Sequence, residues 1–486
     1  MKRLLCIVLL FALCCTVLYS CKREDPSDNE SSESAADDAA YKDENGRYRS
    51  RLEVKDFDSK EFKILVMGEA FATYQSEDFT TESTLYGDLL NDAVEERNNK
   101  IEQDYNVKLV VIKSDTIGDD IRNEAVASTG AYDAIMPSLR ACAIYAQNNY
   151  LYDLTRIGNF DLDAPWWDSN ATESLSIDNK VFFTTGDITI LNKVCTLSVL
   201  FNKEMIADYG LENPYELVEN KQWTFDKMVE MGKAVTQINS PDGSISADNI
   251  YGMLTGHADP LYFYGAAGEL ICGKDANDLP YFTLDGERAI TVAQKVLSTL
   301  QEGDWCVFAQ DFEPPIWDTS FETFHQGRAL FRPSAFSATT KARQRSELEF
   351  GIIPLPLWDS SQDNYRSYAG TGAIAGVAIP LSCDDPEFSA YMLDIYAAEA
   401  KNTITPAYYE INLKMRDARD DESVEMLDII FDNIVYDVGE VYNFGSIVGI
   451  FAELMSNNST DIVSQIDALK DTINSDIDKT IENYGS

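Results

Sequence analysis

Cys21 is the first residue whose position implies chemistry. It closes MKRLLCIVLLFALCCTVLYSC, in which Lys2 and Arg3 give a basic start, residues 4–18 an apolar run and Ser20 a small residue before the thiol. A basic end, an apolar core too short to span comfortably and a small residue before cysteine are the parts of a bacterial lipoprotein signal. On that reading residues 1–20 are removed and Cys21 is acylated. Tyr19 stands where a small residue is usual, so an ordinary cysteine-rich secretory peptide is the alternative. Several acyl chains, at about 0.8 kcal/mol per buried methylene, would hold the mature chain on the extracellular face of the membrane. Cys21 is then an attachment point and not a nucleophile.

Little else in the chain suggests bond-making. There is no P-loop, HExxH or GxSxG, and His257 and His325 form no ligand cluster, so neither a metal nor a cofactor is expected. GTGAIAG (370–376) imitates a dinucleotide fingerprint, but that motif needs a following helix and here a strand-like VAIP follows. Five cysteines lie beyond the leader, at 142, 195, 272, 306 and 383; the odd number and wide spacing exclude a disulfide framework. Cys272 and Cys306 could pair, while Cys142, Cys195 and Cys383 sit in apolar or small-residue runs that suit buried thiols. Trp166-Trp167-Asp168, after Pro165, sets two indoles beside a carboxylate: a stacking pair for a flat ligand, or a plug over a junction.

Charge limits the partners. The chain has 39 basic and 82 acidic residues, and loss of Lys2 and Arg3 takes the formal charge from −43 to −45. Such a surface repels nucleic acid and anionic lipid. A cationic ligand is conceivable, but acids spread along the whole chain read as a solvated face.

The elements that must position a site follow from periodicity. Residues 22–58 are rich in Ser, Asp and Glu and poor in large aliphatics, which predicts a disordered acidic tether over 21–58. Then EFKILVMG (61–68), a helical pattern over 85–105 with Leu89, Ala93, Val94 and Ile101 on one face, VKLVVIK (107–113), a helix near 119–128, YDAIM (132–136) and a helix over 141–151 alternate as β-α-β-α-β-α. This argues a parallel α/β sheet with ligands at its strand ends. Thr224 is a cap for a helix beginning at Phe225, and the last hundred residues are mostly helical in pattern.

In order and spacing these segments resemble family 1 extracellular solute-binding proteins, the maltose-binding type that delivers sugars to ABC importers, over about residues 60–486. The carriers are NKVFFTTGDITILNKVCTLSVLFNKEMI, QWTFDKMVEMGKAV, FETFHQGRALFRPSAF and FGIIPLP. Departures are the order Trp223-Thr224, Phe201 in place of tyrosine, and a tail after 401 that matches loosely. The resemblance implies an α/β, two-lobed, periplasmic-binding-protein-like class II fold with three interlobe crossings and a helical C-terminal part. The crossings fall near 184–189, 327–330 and 371–376. One lobe then holds 59–184 plus 328–372 and the other 185–327 plus 373–486, closing as a hinge.

The resemblance also implies where ligand would sit. Matching positions are Glu69 and Phe71, Ser138 and Arg140, Asp259, Pro260 and Tyr262, Phe336, and, most loosely, Tyr442 and Phe444. Trp166, Trp167, Tyr264 and Tyr368 join them as aromatics near the expected cleft. A sugar needs flat faces against its C–H surfaces and planar polar groups for its hydroxyls, which these residues supply. Each has a structural counterpart: Tyr262, Phe263 and Tyr264 are adjacent, so at least one faces the core; Asp133 can brace a strand end; Arg332 can brace a carboxylate. The implied function is capture of a carbohydrate, an oligosaccharide, by a monomeric, non-enzymatic, lipid-anchored receptor that hands it to ABC permease subunits. A surface glycan scaffold, a secreted glycosidase with two carboxylates, and the same fold binding a polyamine or peptide remain the alternatives.

Overall fold

The computed structural model describes residues 38–241, 243–246, 248–338, 348–414 and 421–485. The leader, Cys21 and the first part of the expected tether lie outside the described residues. Residues 38–49 form a small turn by themselves: Lys42 and Tyr48 pair across Asp43-Glu44-Asn45-Gly46, and the Asp43 carboxylate accepts from the backbone N–H groups of Asn45 and Arg47.

The body begins at Ser50, which corrects the expectation of coil to residue 58. Ser50 Oγ donates to Asp394 Oδ2 at 2.5 Å, Tyr391 Oη donates to the Glu53 carbonyl at 2.6 Å, and the Phe57 ring meets Phe388 and Tyr391 edge-on at 5.0 and 5.1 Å. Leu52, Val54 and Phe57 are the apolar residues at the end of an acidic run, and averaging over the run hid them.

The first sheet is parallel, with β1 (Lys60–Met67) between β2 (Val107–Ser114) and β3 (Ala134–Met136). Helices α1 (Asp88–Tyr105), α2 (Ile117–Ala127) and α3 (Leu139–Gln147) alternate with these strands as the sequence implies. On α1 the buried stripe is Leu90, Ala93, Val94, Arg97 and Ile101, with Leu90 in the place expected of Leu89. Arg97 is buried because its guanidinium stacks over Tyr396 at 4.2 Å and donates to the Asp78 carbonyl at 3.0 Å.

The second sheet has five strands: β4 (Leu197–Asn202), β5 (Tyr251–Thr255), β8 (Cys306–Phe308), β9 (Ala329–Ala335) and β10 (Phe350–Ile353), in the order β10-β4-β9-β5-β8. A small hairpin, β6 (Cys272–Lys274) with β7 (Pro280–Phe282), stands apart. β9 lies between β4 and β5, with Leu200 opposite Arg332 and Met253 opposite Phe331. The expected assignment of 328–372 to the first lobe therefore fails for β9 and β10, and 327–330 is no crossing, since Ala329 and Leu330 already belong to β9. Likewise α8 (Pro386–Asn402), counting the labelled helices α4 (Ser169–Leu175), α5 (Phe225–Val235), α6 (Asp259–Ala266) and α7 (Ile316–His325) before it, packs on α1, so not all of 373–486 belongs to the second lobe. The physical reason is that ALFRPSA and FGII are buried apolar runs that would suit either sheet; register with a distant strand decides between them.

Segment 369–378 touches both sheets. Ala369 bridges to Thr196, Val377 to Thr184, and Ala378 to Ile135 of β3. Two of the expected crossing segments thus meet at Thr184 and Val377. Beside them β11 (Ser367–Tyr368) pairs in parallel with β12 (Ile434–Val435).

Three buried features hold this region. Trp166 is 0% exposed and its Nε1 donates to Asp394 Oδ1 at 3.0 Å. A Cβ on Gly186 would lie 2.2 Å from the Trp166 carbonyl oxygen, so only glycine fits there. Asp187 accepts from Lys193 Nζ and Lys401 Nζ, both at 2.9 Å, and from Thr405 Oγ1 at 2.7 Å.

Burial pushes the Asp394 carboxyl up to about 7, with Asp161 adding to the rise while the Ser50 and Trp166 donors oppose it. Its folded value exceeds the unfolded one of about 3.9, so the folded state holds this proton more tightly. The contribution is full below about pH 4 and is lost as pH rises towards 7, at up to about 1.4 kcal/mol per pH unit. Asp394→Asn is expected to flatten that slope, read as the difference in urea midpoints between variant and parent from pH 4.5 to 8; parallel curves would refute it.

All five described cysteines are buried free thiols, so Cys272 and Cys306 do not pair. Among the described residues no helix is long and apolar enough to cross a membrane.

Candidate functional site

Where 369–373, the end of β9, the start of β4 and the amino end of α6 converge, a cavity of about 270 Å³ is lined by Tyr74, Cys195, Asp259, Tyr262, Trp317 and Arg332, with Ser334, Ser337, Gly370 and Ala373 completing it. A recess of about 160 Å³ shares Tyr74, Trp317, Arg332 and Ser337 and adds Asp318 and Phe321. Hollows of about 490 and 500 Å³ lie elsewhere. The smaller cavity is the stronger candidate because its walls come from both α/β halves: Tyr74 from the loop after β1, and β4, β9 and α6 from the second sheet's side.

Asp259 opens α6. Its Oδ2 accepts from Thr255 Oγ1 at 2.5 Å and from the Gly256 N–H at 2.8 Å, and burial pushes its carboxyl above the usual range, against the pull of Arg332. Arg332, on β9, is 6% exposed. Its Nη1 donates to Ser320 Oγ at 2.8 Å, its guanidinium lies 5.1 Å from the Phe321 ring centre, and burial draws its pKa down to about 10. The Tyr74 phenol is pushed up by burial and lies within reach of the Cys195 thiol and the Ser337 hydroxyl. Cys195 itself is pushed to about 12 by burial, which keeps it an inert thiol at neutral pH. Trp317 is 52% exposed. Its ring edge would lie 2.6 Å from a Cβ on Gly256, so Gly256 is the seat on which the indole rests. Tyr262 leans on Tyr368 with ring centres 5.7 Å apart.

The structure sorts the sequence candidates. Asp259 and Tyr262 line the cavity. Tyr264 and Phe336 do not: Tyr264 donates to the Leu270 carbonyl and packs on Phe451, while Phe336 packs on Phe431. Tyr368 is fully buried behind Tyr262, its hydroxyl donating to Asp437 Oδ2 at 3.3 Å. Tyr442 stacks on Phe444 and hydrogen-bonds Tyr484. Trp166 and Trp167 are core residues, Trp167 stacked on Phe160 at 4.9 Å, and neither lines the cavity. These aromatics were placed wrongly because adjacency in sequence does not say which face of a strand or helix turns inward.

The polar candidates divide similarly. Arg140 forms an ion pair with buried Glu440, and its Nε donates to Thr371 Oγ1 at 3.3 Å, so it braces the segment under the cavity. Ser138 caps α3 by accepting from the Ala141 N–H. Asp133 accepts from the Lys63 N–H at 2.8 Å, bracing a strand end. Glu69 and Phe71 are exposed at the end of β1 and do not line the cavity. Pro260 is buried in the first turn of α6.

Tyr74, Trp317 and Ser337 were missed as site residues, and Arg332 was read only as a brace. Trp317 carried a signal: Ser320, Phe321, Thr323 and Phe324 form the buried face of α7, and Trp317 falls off it. A tryptophan left on the wet side of an amphipathic helix asks for a partner. Tyr74 sits in ATYQSEDF, a run with no periodicity to read.

No known family profile matches the chain, and no curated protein matches it. Solved structures do. An ABC substrate-binding protein from Listeria monocytogenes in complex with cycloalternan matches with a TM-score of 0.52 and 12% identity, over 88% of this chain and 100% of that one. A cyclo/maltodextrin-binding protein complexed with maltotetraose matches with a TM-score of 0.55 and 12% identity, over 87% and 96%. The maltose-binding periplasmic protein of Listeria monocytogenes in complex with maltose matches with a TM-score of 0.54 and 15% identity, over 88% and 98%. The chain has the two-lobed α/β fold of these binding proteins.

Proposed function

We propose that a chain with this fold and this cavity is a solute receptor that takes a saccharide between Trp317, Tyr262 and Tyr74 and passes it to the permease subunits of an ABC importer. The observation that carries the reading is the convergence of three aromatic side chains with Asp259, Arg332, Ser334 and Ser337 beside the segment that touches both sheets. Aromatic faces suit the C–H surfaces of a pyranose, and fixed hydroxyls and charges suit its hydroxyl groups. Structural neighbours solved with cycloalternan, maltotetraose and maltose support the ligand class. In the same proposal the protein is monomeric, non-enzymatic and anchored through acylated Cys21 on the extracellular face of a bacterial membrane. The lobes divide by sheet: 60–184 with α8 on one side, and 197–367 on the other.

A ligand that binds only the folded state stabilises it by RT ln(1 + [L]/Kd), about 2.7 kcal/mol at a hundredfold excess over Kd. Thermal unfolding of the mature chain against oligosaccharides, peptides and polyamines is expected to respond to one saccharide series. Trp317→Ala and Tyr262→Ala are each expected to weaken that ligand by roughly tenfold, about 1.4 kcal/mol. A response to polyamines or peptides alone would overturn the ligand class, and silence throughout would favour a scaffold.

A further inference from the structure

We infer that the ligand of this cleft carries an anionic group, a carboxylate or a sulfate ester on the sugar, and that Arg332 receives it. The inference rests on the saccharide-receptor reading above and goes beyond it, since a neutral maltodextrin needs no cation at the base of its site.

The argument starts from an imbalance. A guanidinium has five N–H donors and is charged at any physiological pH. Arg332 is 6% exposed, yet the partner it holds is the neutral Ser320 hydroxyl, and its buried Nε has no partner. Among the described residues no carboxylate forms an ion pair with it. Asp259 is the opposing charge that acts on it, but Oδ2 of Asp259 is taken by Thr255 and the Gly256 N–H. A charge removed from water costs several kcal/mol unless a counter-charge or a full set of hydrogen bonds replaces the hydration.

Geometry says where the missing partner would come from. Arg332 is on a central strand, where β4 and β9 pair Leu200 with Arg332, and it cannot swing out to solvent as a surface arginine would. Phe321 covers one side of the guanidinium at 5.1 Å. The remainder borders both the main cavity and the recess, each also walled by Tyr74, Trp317 and Ser337. A guanidinium in a cavity wall with N–H groups left over suits a carboxylate or sulfate, which accepts charge-assisted hydrogen bonds. The formal charge of −43 does not contradict this: the acidic surface is solvated and screened within about 8 Å at physiological ionic strength, whereas a contact ion pair inside the cavity is not.

The test is calorimetric titration of the mature chain with saccharide pairs that keep the sugar backbone and differ in charge: oligogalacturonides against their methyl esters, and sulfated against unsulfated lactose. The charged member of at least one pair is expected to bind 30-fold or more tighter, and the pair that responds distinguishes carboxylate from sulfate. Arg332→Gln should cut that preference below threefold by weakening the charged member far more than the neutral one, with Arg332→Lys in between. The unliganded unfolding temperature of Arg332→Gln should be unchanged or higher, because a buried charge without a counter-charge has been removed. A variant that unfolds earlier yet keeps the preference would make Arg332 a structural brace and overturn the inference. Neutral saccharides binding as well as their charged counterparts would overturn it and leave the receptor standing; no saccharide binding at all would remove both.

Discussion

Trp166→Ala is expected to lower the unfolding free energy by about 3–5 kcal/mol and to leave saccharide affinity within about twofold. The indole is 0% exposed, it donates to Asp394 Oδ1 at 3.0 Å, and the chain at Gly186 passes so close to its carbonyl that no Cβ is tolerated. Truncation therefore opens a cavity in a region that cannot collapse to fill it, and leaves the Asp394 carboxyl with one donor fewer. Trp166 does not line the candidate cavity. Urea unfolding and titration of one purified variant check both halves. A loss of affinity without a loss of stability would return Trp166 to the ligand.

Asp187→Ala should cost about 3–5 kcal/mol at pH 7, the range seen when one partner of a buried ion network is deleted. Lys193 is nearly buried, and Lys401 reaches the same carboxylate from α8, so the alanine leaves two ammonium groups without their shared counter-charge. Those two lysines hold the Asp187 carboxyl well below the usual range although burial opposes them. A depressed folded value gives stability that is present above the unfolded pKa of about 3.9 and lost as pH falls below it. The penalty of the variant should therefore be constant from pH 5 to 8 and shrink in acid. Asp187→Asn keeps one acceptor, for Lys193 and Thr405, but turns an amide donor towards Lys401 and removes the charge, so it should also destabilise. Equal urea midpoints for Asp187→Ala and the parent at pH 7 would remove the network from the account of what holds this region.

The local alternation was legible and the long-range pairing was not. EFKILVMG announces a buried strand and VKLVVIK a strand, and the spacing of Ala93, Val94 and Ile101 announces the helix between them, because each signal is contained within about twenty residues. The insertion of β9 between β4 and β5 is decided by backbone pairing of residues more than a hundred apart in the case of Leu200 and Arg332, and nothing in ALFRPSA itself states its neighbours. Site residues follow the same division. Asp259 and Tyr262 were named from a segment that resembles a known arrangement, and they line the candidate cavity, whereas Tyr264, two residues on, shares the chemistry of Tyr262 and faces the core instead. Arg332 was read as lying in a loop where it could brace a carboxylate; it lies on a strand instead, and among the described residues no carboxylate forms an ion pair with it.

The strap over residues 50–57 has a mechanical consequence. A pull applied at Ser50 would be carried by its bond to Asp394 and then by Phe57, whose ring is gripped edge-on by Phe388 and Tyr391 and whose N–H is bonded to the Tyr105 carbonyl at 2.9 Å. Force is thus spread onto two helices before it reaches β1, the central strand of its sheet. A tension that frees the strap would lengthen the chain ahead of β1 by a few residues and leave the sheet intact, so residues 50–57 would act as a small shock absorber in front of the fold.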